Sequence, residues 1–187
     1  MTERTRRLDR RQLARTVALG AACGLLAGAG ALAQQDKSNL LNLQLKDGTV
    51  VIRLRPDLAP RHVERIKELA KAGFYDGIVF HRVIEGFMAQ TGDPTGTGMG
   101  GSKLPNLPAE FSAEPFKRGT LGMARSSSPN SANSQFFICF APAPFLNGQY
   151  TVFGEVVSGM EFVDKIKRGE PPATRDKIIS LKLASDA

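Results

Sequence analysis

One short stretch concentrates the side chains that could do chemistry. Residues 80–90 read Phe-His-Arg-Val-Ile-Glu-Gly-Phe-Met-Ala-Gln, so the permanent cation of Arg82 is followed closely by two large apolar side chains and an amide. Residues 133–138, Asn-Ser-Gln-Phe-Phe-Ile, supply an amide and apolar side chains again. A guanidinium beside an apolar pocket suits recognition of an apolar ring next to an amide, with the charged donor directed at that amide.

Three other kinds of site are disfavoured. Residues 96–101 match G-x-G-x-x-G, but Pro105 follows where a dinucleotide site needs a helix, so we expect a flexible glycine loop beside a cleft. A catalytic triad needs a histidine. His62 is predicted on the solvated face of a helix, and His81, next to Arg82 on a strand, is predicted to be a hydrogen-bonded core residue. Two separated histidines and one core cysteine make no metal site, and no cofactor is expected.

Composition and charge fit one domain of ordinary size with a basic tail. The chain has 187 residues and a formal charge of +7. Residues 1–33 hold six arginines against two acidic residues, and the remainder has no dense basic run. Nucleic-acid binding is therefore disfavoured, because it needs clustered positive charge. Cys139 lies in an apolar run and is predicted to be a buried, inert thiol, while Cys23 lies in the tail.

The tail has the organisation of an export signal. Residues 1–16 are basic, residues 17–32 carry no charge, and Ala-Leu-Ala at 31–33 precedes a polar segment. We predict cleavage after Ala33, a working domain of residues 34–187, and a periplasmic or secreted bacterial protein. Residues 9–14 resemble a twin-arginine motif, and an ordinary export signal fits equally well. The uncharged run is shorter than the ~20 residues that span a bilayer, which disfavours a retained anchor.

Around the candidate residues the chain predicts mostly strands. Apolar residues alternate over 41–45, Lys-Asp-Gly follows at 46–48, and a second strand over 50–54 closes a hairpin. A helix is predicted from Pro60 to Gly73, with its apolar residues at helical spacing. Six more strands are predicted over residues 78–84, 87–91, 119–125, 134–140, 151–157 and 178–183.

A second helix is predicted after the strand that ends near residue 157. Ser158 and Glu161 have capping-box spacing, apolar residues recur at helical spacing, and Gly169 ends the helix. Seven or eight short strands and two helices without strand–helix alternation predict a mainly β, antiparallel barrel.

Strand periodicity assembles the candidate site. It places Gln135 and Phe137 on one face of their strand, and Phe136 and Ile138 on the other. The cleft that this face would offer is completed by apolar side chains and donors: Phe87, Met88, Leu146, Arg82 and Gln90. Such a cleft would take an apolar ring of about the size of pyrrolidine.

The motifs resemble those of a known family. Residues 80–93 look like the signature of the cyclophilins, and residues 131–138 and 151–154 match it in the right order. The similarity runs from about residue 41 to residue 183, and Met-Ala-Arg at 123–125 before a serine-rich loop is similar to the bacterial branch. The resemblance implies a closed eight-stranded antiparallel barrel capped by two α-helices. It also implies peptidyl-prolyl cis-trans isomerase activity on proline-containing segments.

The resemblance also assigns roles by position. It implies that the catalytic residues are Arg82, Phe87 and Gln90, with Arg82 as the catalytic arginine. The substrate-binding positions would be Met88, Ala124, Arg125, Ser126, Gln135, Phe137, Phe145, Leu146 and Tyr150. Phe145 stands where the best-studied eukaryotic members have Trp, and Tyr150 where they have His. Because Phe145 lacks an indole N–H donor, we expect weak cyclosporin binding.

Two alternatives keep the fold without the reaction. A non-catalytic module could grip proline-containing segments, or act as a chaperone, but Arg82 disfavours it because ring binding needs no cation. The second alternative is an interaction domain whose cleft is vestigial. For the isomerase we expect folding or unfolded envelope proteins as clients, a monomeric mature domain and no stable membrane insertion.

Overall fold

Eight short strands and two α-helices carry the fold in the computed structural model, which describes residues 37–186. The strands are β1 (Leu40–Leu45), β2 (Gly48–Leu54), β3 (Arg82–Ile84), β4 (Met88–Thr91), β5 (Thr120–Met123), β6 (Phe136–Cys139), β7 (Val152–Ser158) and β8 (Ser180–Leu183). The helices are α1 (Pro60–Lys71) and α2 (Met160–Val163), with a 3-10 turn at Pro144–Leu146. The predicted export signal, its cleavage site and Cys23 lie outside the described residues. None of the helices in residues 37–186 is long and apolar enough to cross a membrane.

The strands form one antiparallel sheet in the order β3-β4-β6-β5-β7-β2-β1-β8. The predicted hairpin is confirmed, with Leu45 paired to Gly48 across the turn. The sheet curls so that its end strands approach each other. An isolated bridge joins Val79 to Lys177, and the N–H of Phe80 donates to the carbonyl oxygen of Asp176 at 2.9 Å. The predicted antiparallel barrel is confirmed. Where the two edges of the sheet meet, these isolated contacts take the place of a continuous ladder of hydrogen bonds. The strand predicted over residues 78–84 is correspondingly shorter, since β3 covers Arg82–Ile84 and only an isolated bridge pairs Val79.

Alternation and helical spacing bury the predicted faces. β1 and β2 direct every second side chain into the main core, and α1 covers that core with one apolar stripe. The buried residues of these elements include Leu41, Leu43, Leu45, Val50, Ile52, Leu54, Val63, Ile66 and Ala70. Burying each leucine or isoleucine side chain contributes about 1.5–3 kcal/mol, so this core holds the sheet that carries the site.

The prediction that His62 is solvent-exposed is wrong. His62 is 0% exposed, and its Nδ1 lies 2.6 Å from Oε2 of Glu110, which arrives from the loop before β5. The Glu110 carboxylate also accepts the backbone N–H groups of Arg61 and His62 at the start of α1. The first turn has no cap from its own side chains, so a loop 48 residues away provides one. Helical periodicity alone could not reveal that contact.

Burial sets the charge state of this pair. It lowers the pKa of His62 more strongly than Glu110 raises it, so the histidine is neutral. Burial also acts to raise the pKa of Glu110, but the side-chain and backbone donors outweigh it and the pKa is lowered. A neutral His62 therefore donates to an ionised carboxylate, which also lies favourably at a helix N-terminus.

The second helix is shorter than predicted, and the capping box is wrong. The cap of α2 is Gly159 with φ +82°, and no side chain bonds to it, while Ser158 still belongs to β7. A side chain at Gly159 would collide with the backbone of Thr49, so the strand turns sharply into the helix there. Ile166, one of the apolar residues at helical spacing, is buried from a turn that follows the helix.

Replacing the carboxylate that caps α1 should destabilise the fold. In Glu110→Ala the buried His62 and two backbone N–H groups lose their acceptor, so we expect the free energy of unfolding to fall by about 1–3 kcal/mol. Urea denaturation at neutral pH measures it. Glu64→Ala, at an exposed position of the same helix, is the matched control and should change it by under about 0.5 kcal/mol. Equal stability of the two variants would contradict the capping role.

Candidate active site

A row of paired residues crosses four neighbouring strands. Arg82 of β3 pairs with Gln90 of β4, Gln90 pairs with Phe137 of β6, and Phe137 pairs with Gly122 of β5. Residues paired across antiparallel strands point to the same face of the sheet, so these groups stand side by side. The sequence predicted their types and their common face, and the register of the strands now aligns them.

The opposite faces of these strands are buried in the main core. Val83, Ala89, Phe136 and Ile138 belong to it, whereas Phe137 packs in a separate apolar cluster on the groove side. The predicted division of residues 134–140 into a cleft face and a core face is therefore confirmed. A shift of one residue in any strand would exchange the two faces, so the core fixes the site.

A cavity of about 380 Å³ lies along this row. Ten of the predicted site residues line it: Arg82, Phe87, Met88, Gln90, Ala124, Arg125, Phe137, Phe145, Leu146 and Tyr150. Its floor is apolar and almost fully buried, because Met88, Phe137 and Leu146 are each at most 6% exposed. Arg82 therefore shares one hollow with the apolar pocket, as the proposed chemistry requires.

Aromatic rings hold the walls of the cavity in place. Phe116 stacks on Phe137 with ring centroids 5.7 Å apart, and Tyr150 meets Phe137 edge-on at 6.0 Å. Phe87 and Phe145 lie 5.2 Å apart at the mouth, where Phe145 is 61% exposed. Such contacts add about 0.5–1.5 kcal/mol per pair beyond burial, which favours a pre-formed pocket.

Three residues of this site escaped the sequence analysis. Phe116 supports Phe137 from a loop, and Gln149 lines the cavity. Gly122 has no room for a side chain, since a Cβ there would collide with the rings of Phe137 and Phe116. A glycine within an otherwise regular strand was the available signal, since it often marks close approach of a neighbouring group.

The remaining predicted residues, Gln135 and Ser126, lie in an adjoining cavity of about 490 Å³. The two cavities share Gln90, Ala124 and Arg125, so together they form one extended groove. The wall of the second cavity combines polar side chains with much of the glycine loop.

An amide chain links the two cavities. The amide of Gln90 donates to Oε1 of Gln135 at 2.9 Å. Gln135 in turn donates to the carbonyl oxygens of Gly98 and Gly100 at 2.9 and 2.7 Å. These bonds orient the amide of Gln90, whose remaining oxygen is an acceptor at the edge of the pocket.

The glycine loop lies beside the cleft as predicted, and it is wound around one carboxylate. Asp93 accepts the backbone N–H groups of Thr95, Thr97, Gly98 and Gly100 at 2.6–3.1 Å. Burial opposes the charge of Asp93, but these donors and the Thr95 hydroxyl outweigh it and lower the pKa to about 2. The loop is therefore anchored rather than free, which the glycine content alone did not indicate.

Two arginines border the pocket in different ways. Nε of Arg82 donates to Oε2 of Glu170 at 2.7 Å, and 44% of the arginine side chain is exposed. Arg125 lies with its guanidinium 4.4 Å from the ring centroid of Tyr150 and donates to the carbonyl oxygen of Gln149. Arg125 is therefore fixed as part of the wall, while the terminal nitrogens of Arg82 have no partner among the described residues.

His81 is buried as predicted, while its hydrogen bonding stays a prediction. Neither ring nitrogen has a hydrogen-bond partner of normal geometry among the described residues. The ring packs beneath Gly98 of the glycine loop instead of only among the apolar side chains of its strand. Burial lowers the pKa of His81, and Arg175 and Arg82 act in the same direction, while Asp93 and the nearby Gln135 oppose them.

Cys139 is buried on the pocket side of β6, and burial raises its pKa to about 12. The predicted burial of the thiol is therefore confirmed, and a thiol whose pKa is raised in this way is a poor nucleophile at neutral pH. Residues 37–186 contain no group of three or more His, Cys, Asp and Glu side chains placed to hold a metal ion.

Comparison with known proteins identifies a family that matches this geometry. The family model described as "Cyclophilin type peptidyl-prolyl cis-trans isomerase/CLD" matches residues 40–183. A probable peptidyl-prolyl cis-trans isomerase of Brucella suis is 55% identical, over 90% of this chain and 96% of its own length. A peptidyl-prolyl cis-trans isomerase of Synechococcus elongatus is 40% identical, over 78% of this chain and 96% of its own.

Solved structures agree with the sequence matches. A cyclophilin from Hirschia baltica superposes with a TM-score of 0.75 at 28% identity, covering 81% of this chain and 76% of that one. A cyclophilin type peptidyl-prolyl cis-trans isomerase from Cryptosporidium parvum, solved in the presence of the dipeptide ala-pro, has a TM-score of 0.72 at 30% identity. That match covers 77% of this chain and 98% of the other.

Proposed function

The chain belongs to the cyclophilin-type peptidyl-prolyl cis-trans isomerases, and we propose that Arg82 drives X-Pro bond rotation in the groove described above. The observation that carries this role is the cross-strand row of Arg82, Gln90 and Phe137 along one apolar cavity. The relative from Cryptosporidium parvum, solved in the presence of ala-pro, supports a proline-containing segment as the substrate.

The reaction makes and breaks no covalent bond. The barrier to amide rotation is about 18–20 kcal/mol, because the nitrogen shares its lone pair with the carbonyl group. Uncatalysed exchange of an X-Pro bond therefore takes roughly tens to hundreds of seconds. A catalyst must bind the twisted amide more tightly than either planar form.

The guanidinium of Arg82 provides that preference. As the bond twists, the lone pair becomes localised on the proline nitrogen, which then accepts a hydrogen bond that the planar amide cannot accept. A charge-assisted bond contributes about 1.5–3 kcal/mol, which corresponds to roughly one to two decades in rate. The terminal nitrogens of Arg82 are available for this bond because Glu170 engages only Nε.

The apolar pocket supplies the remaining acceleration. Met88, Phe137 and Leu146 form a buried floor that holds the proline ring and keeps water from the rotating amide. Excluding water strengthens the hydrogen bond from Arg82, because the local dielectric constant falls. The oxygen of Gln90 and the backbone of residues 124–126 border the groove and would hold the peptide chain on either side of the ring.

A module that only binds proline-containing segments is disfavoured. Ring binding would be satisfied by the apolar floor, yet the groove keeps a cation at its edge and family relatives are named as isomerases. We propose weak cyclosporin binding, since Phe145 offers an exposed ring without an N–H donor at the mouth of the pocket.

We further propose that the enzyme acts outside the cytoplasm on folding or unfolded envelope proteins. The support is the order of basic, apolar and small residues in 1–33. We also propose a monomeric mature domain that binds no nucleic acid, and the scattered charge of residues 34–187 supports the second point.

Replacing the guanidinium should separate catalysis from binding. In Arg82→Ala we expect kcat/KM to fall by at least about tenfold, because the twisted amide loses its donor, while the affinity for an X-Pro peptide changes little. NMR exchange spectroscopy measures the rate and a titration measures the affinity. Arg53→Ala, an exposed arginine of β2, is the control and should keep the full rate. An unaltered rate in Arg82→Ala would refute the assignment, and no acceleration by the unaltered protein would favour the binding module.

The export proposal predicts the N-terminus of the working enzyme. Expressed in a bacterial host, the protein should be recovered from the periplasm beginning at Gln34, which N-terminal sequencing of the purified chain determines. Changing Arg10 and Arg11 to Lys should block export only if the twin-arginine route is used. Recovery of an uncleaved chain from the cytoplasm would contradict the proposal.

A further inference from the structure

Arg82 has a carboxylate partner that comes from a distant part of the chain. Nε of Arg82 lies 2.7 Å from Oε2 of Glu170, 88 residues further along. We infer that Glu170 is a positioning residue: it holds Arg82 through Nε and so presents both terminal nitrogens to the rotating amide. This inference rests on the proposed role of Arg82.

The backbone around Glu170 is built to hold it there. Gly169 and Val83 exchange two backbone hydrogen bonds, each of 2.8 Å, so the residue after Gly169 lies beside the residue before Val83. Gly169 has φ +146°, and a side chain on it would collide with the backbone of Pro172. Only glycine fits this position, which keeps Glu170 in register with β3.

The arrangement of the cavities separates the carboxylate from the substrate. Arg82 borders two hollows, the apolar pocket of about 380 Å³ and a third cavity of about 490 Å³. Glu170 lines only the third cavity, together with His81 and Arg175. The third cavity adjoins the proline pocket, since Arg82, Gln90 and Arg125 line both. The Glu170 carboxylate, however, does not line the proline pocket itself and so leaves the substrate's place open.

Orientation, and not stability, is what this contact can provide. The side chains of Arg82 and Glu170 are 44% and 52% exposed, and ion pairs at such positions contribute little to folding. A long arginine side chain, however, has many rotamers, and only some direct its nitrogens into the pocket. Holding Nε raises the productive fraction before the substrate arrives, which is a recognised source of rate acceleration.

The chain offers a matched control for this contact. Nε of Arg168 lies 2.7 Å from Oε2 of Glu85, which is the same atomic contact at the same distance. Arg168 lies over the ring of Phe140 and lines none of the three cavities described above. Removing Glu85 therefore removes an equivalent ion pair without touching the groove.

The test compares Glu170→Ala, Glu170→Gln and Glu85→Ala on an uncharged X-Pro peptide. NMR exchange gives kcat and KM, titration gives the peptide Kd, and thermal unfolding gives Tm. We expect Glu170→Ala to lower kcat by about three- to tenfold while Kd and Tm stay unchanged. Glu170→Gln should be intermediate, because its amide oxygen still accepts a bond from Nε. Glu85→Ala should keep the unaltered kcat.

Salt provides an independent readout. Added salt screens an exposed ion pair, so kcat of the unaltered protein should fall toward that of Glu170→Ala, whose own kcat should not respond. If Glu170 had only a structural role, Glu170→Ala would lower Tm, and salt would change kcat equally in the variant and in the unaltered protein.

Two results would overturn the inference while the proposed function stands. The first is a kcat of Glu170→Ala equal to or above that of the unaltered protein, which would show a spectator or a competitor for the guanidinium. The second is an equal fall in Glu85→Ala. In both cases the unaltered protein still accelerates exchange and Arg82→Ala still lowers kcat/KM by at least about tenfold. Failure of those two reference measurements would instead overturn the proposed function itself.

Discussion

The register of β3, β4 and β6 is the constraint on which the rest depends. It places Arg82, Gln90 and Phe137 in one row, and the residues between them bury the other face in the main core. Because side chains alternate along a strand, a slip of one residue would bury the guanidinium and expose the core. The hydrophobic free energy that folds the barrel therefore also brings the candidate catalytic groups to one face, and side-chain contacts such as those of Glu170 and Gln135 then orient them.

Local patterns in the sequence predicted the parts of the structure that are local in the chain. The hairpin of β1 and β2, the helix α1, and the two faces of residues 134–140 each follow from periodicity and turn residues within a dozen positions. The site residues could be predicted from the sequence for a further reason. Arg82 and its neighbours form contiguous motifs that resemble a family, and strand alternation then indicated which of them share a face.

Contacts between distant segments could not be predicted in this way. Glu110 reaches His62 across 48 residues and Glu170 reaches Arg82 across 88, so no window of sequence contains either pair. The exposed His62 was a wrong prediction for this reason, and the loop above His81 was missed for the same one. Each histidine was assigned from the periodicity of its own element, while its surroundings are set by a loop packed against that element.

The central claim is that a planar, directed donor at position 82 stabilises the twisted amide, beyond the effect of a positive charge nearby. The most direct measurement is the rate at which a saturating X-Pro peptide interconverts while bound, read by NMR exchange in the unaltered protein and in Arg82→Lys. Lysine keeps the charge but lacks the guanidinium fork, so the account predicts a fall of about tenfold or more with unchanged peptide affinity. An interconversion rate in Arg82→Lys equal to that of the unaltered protein would contradict it.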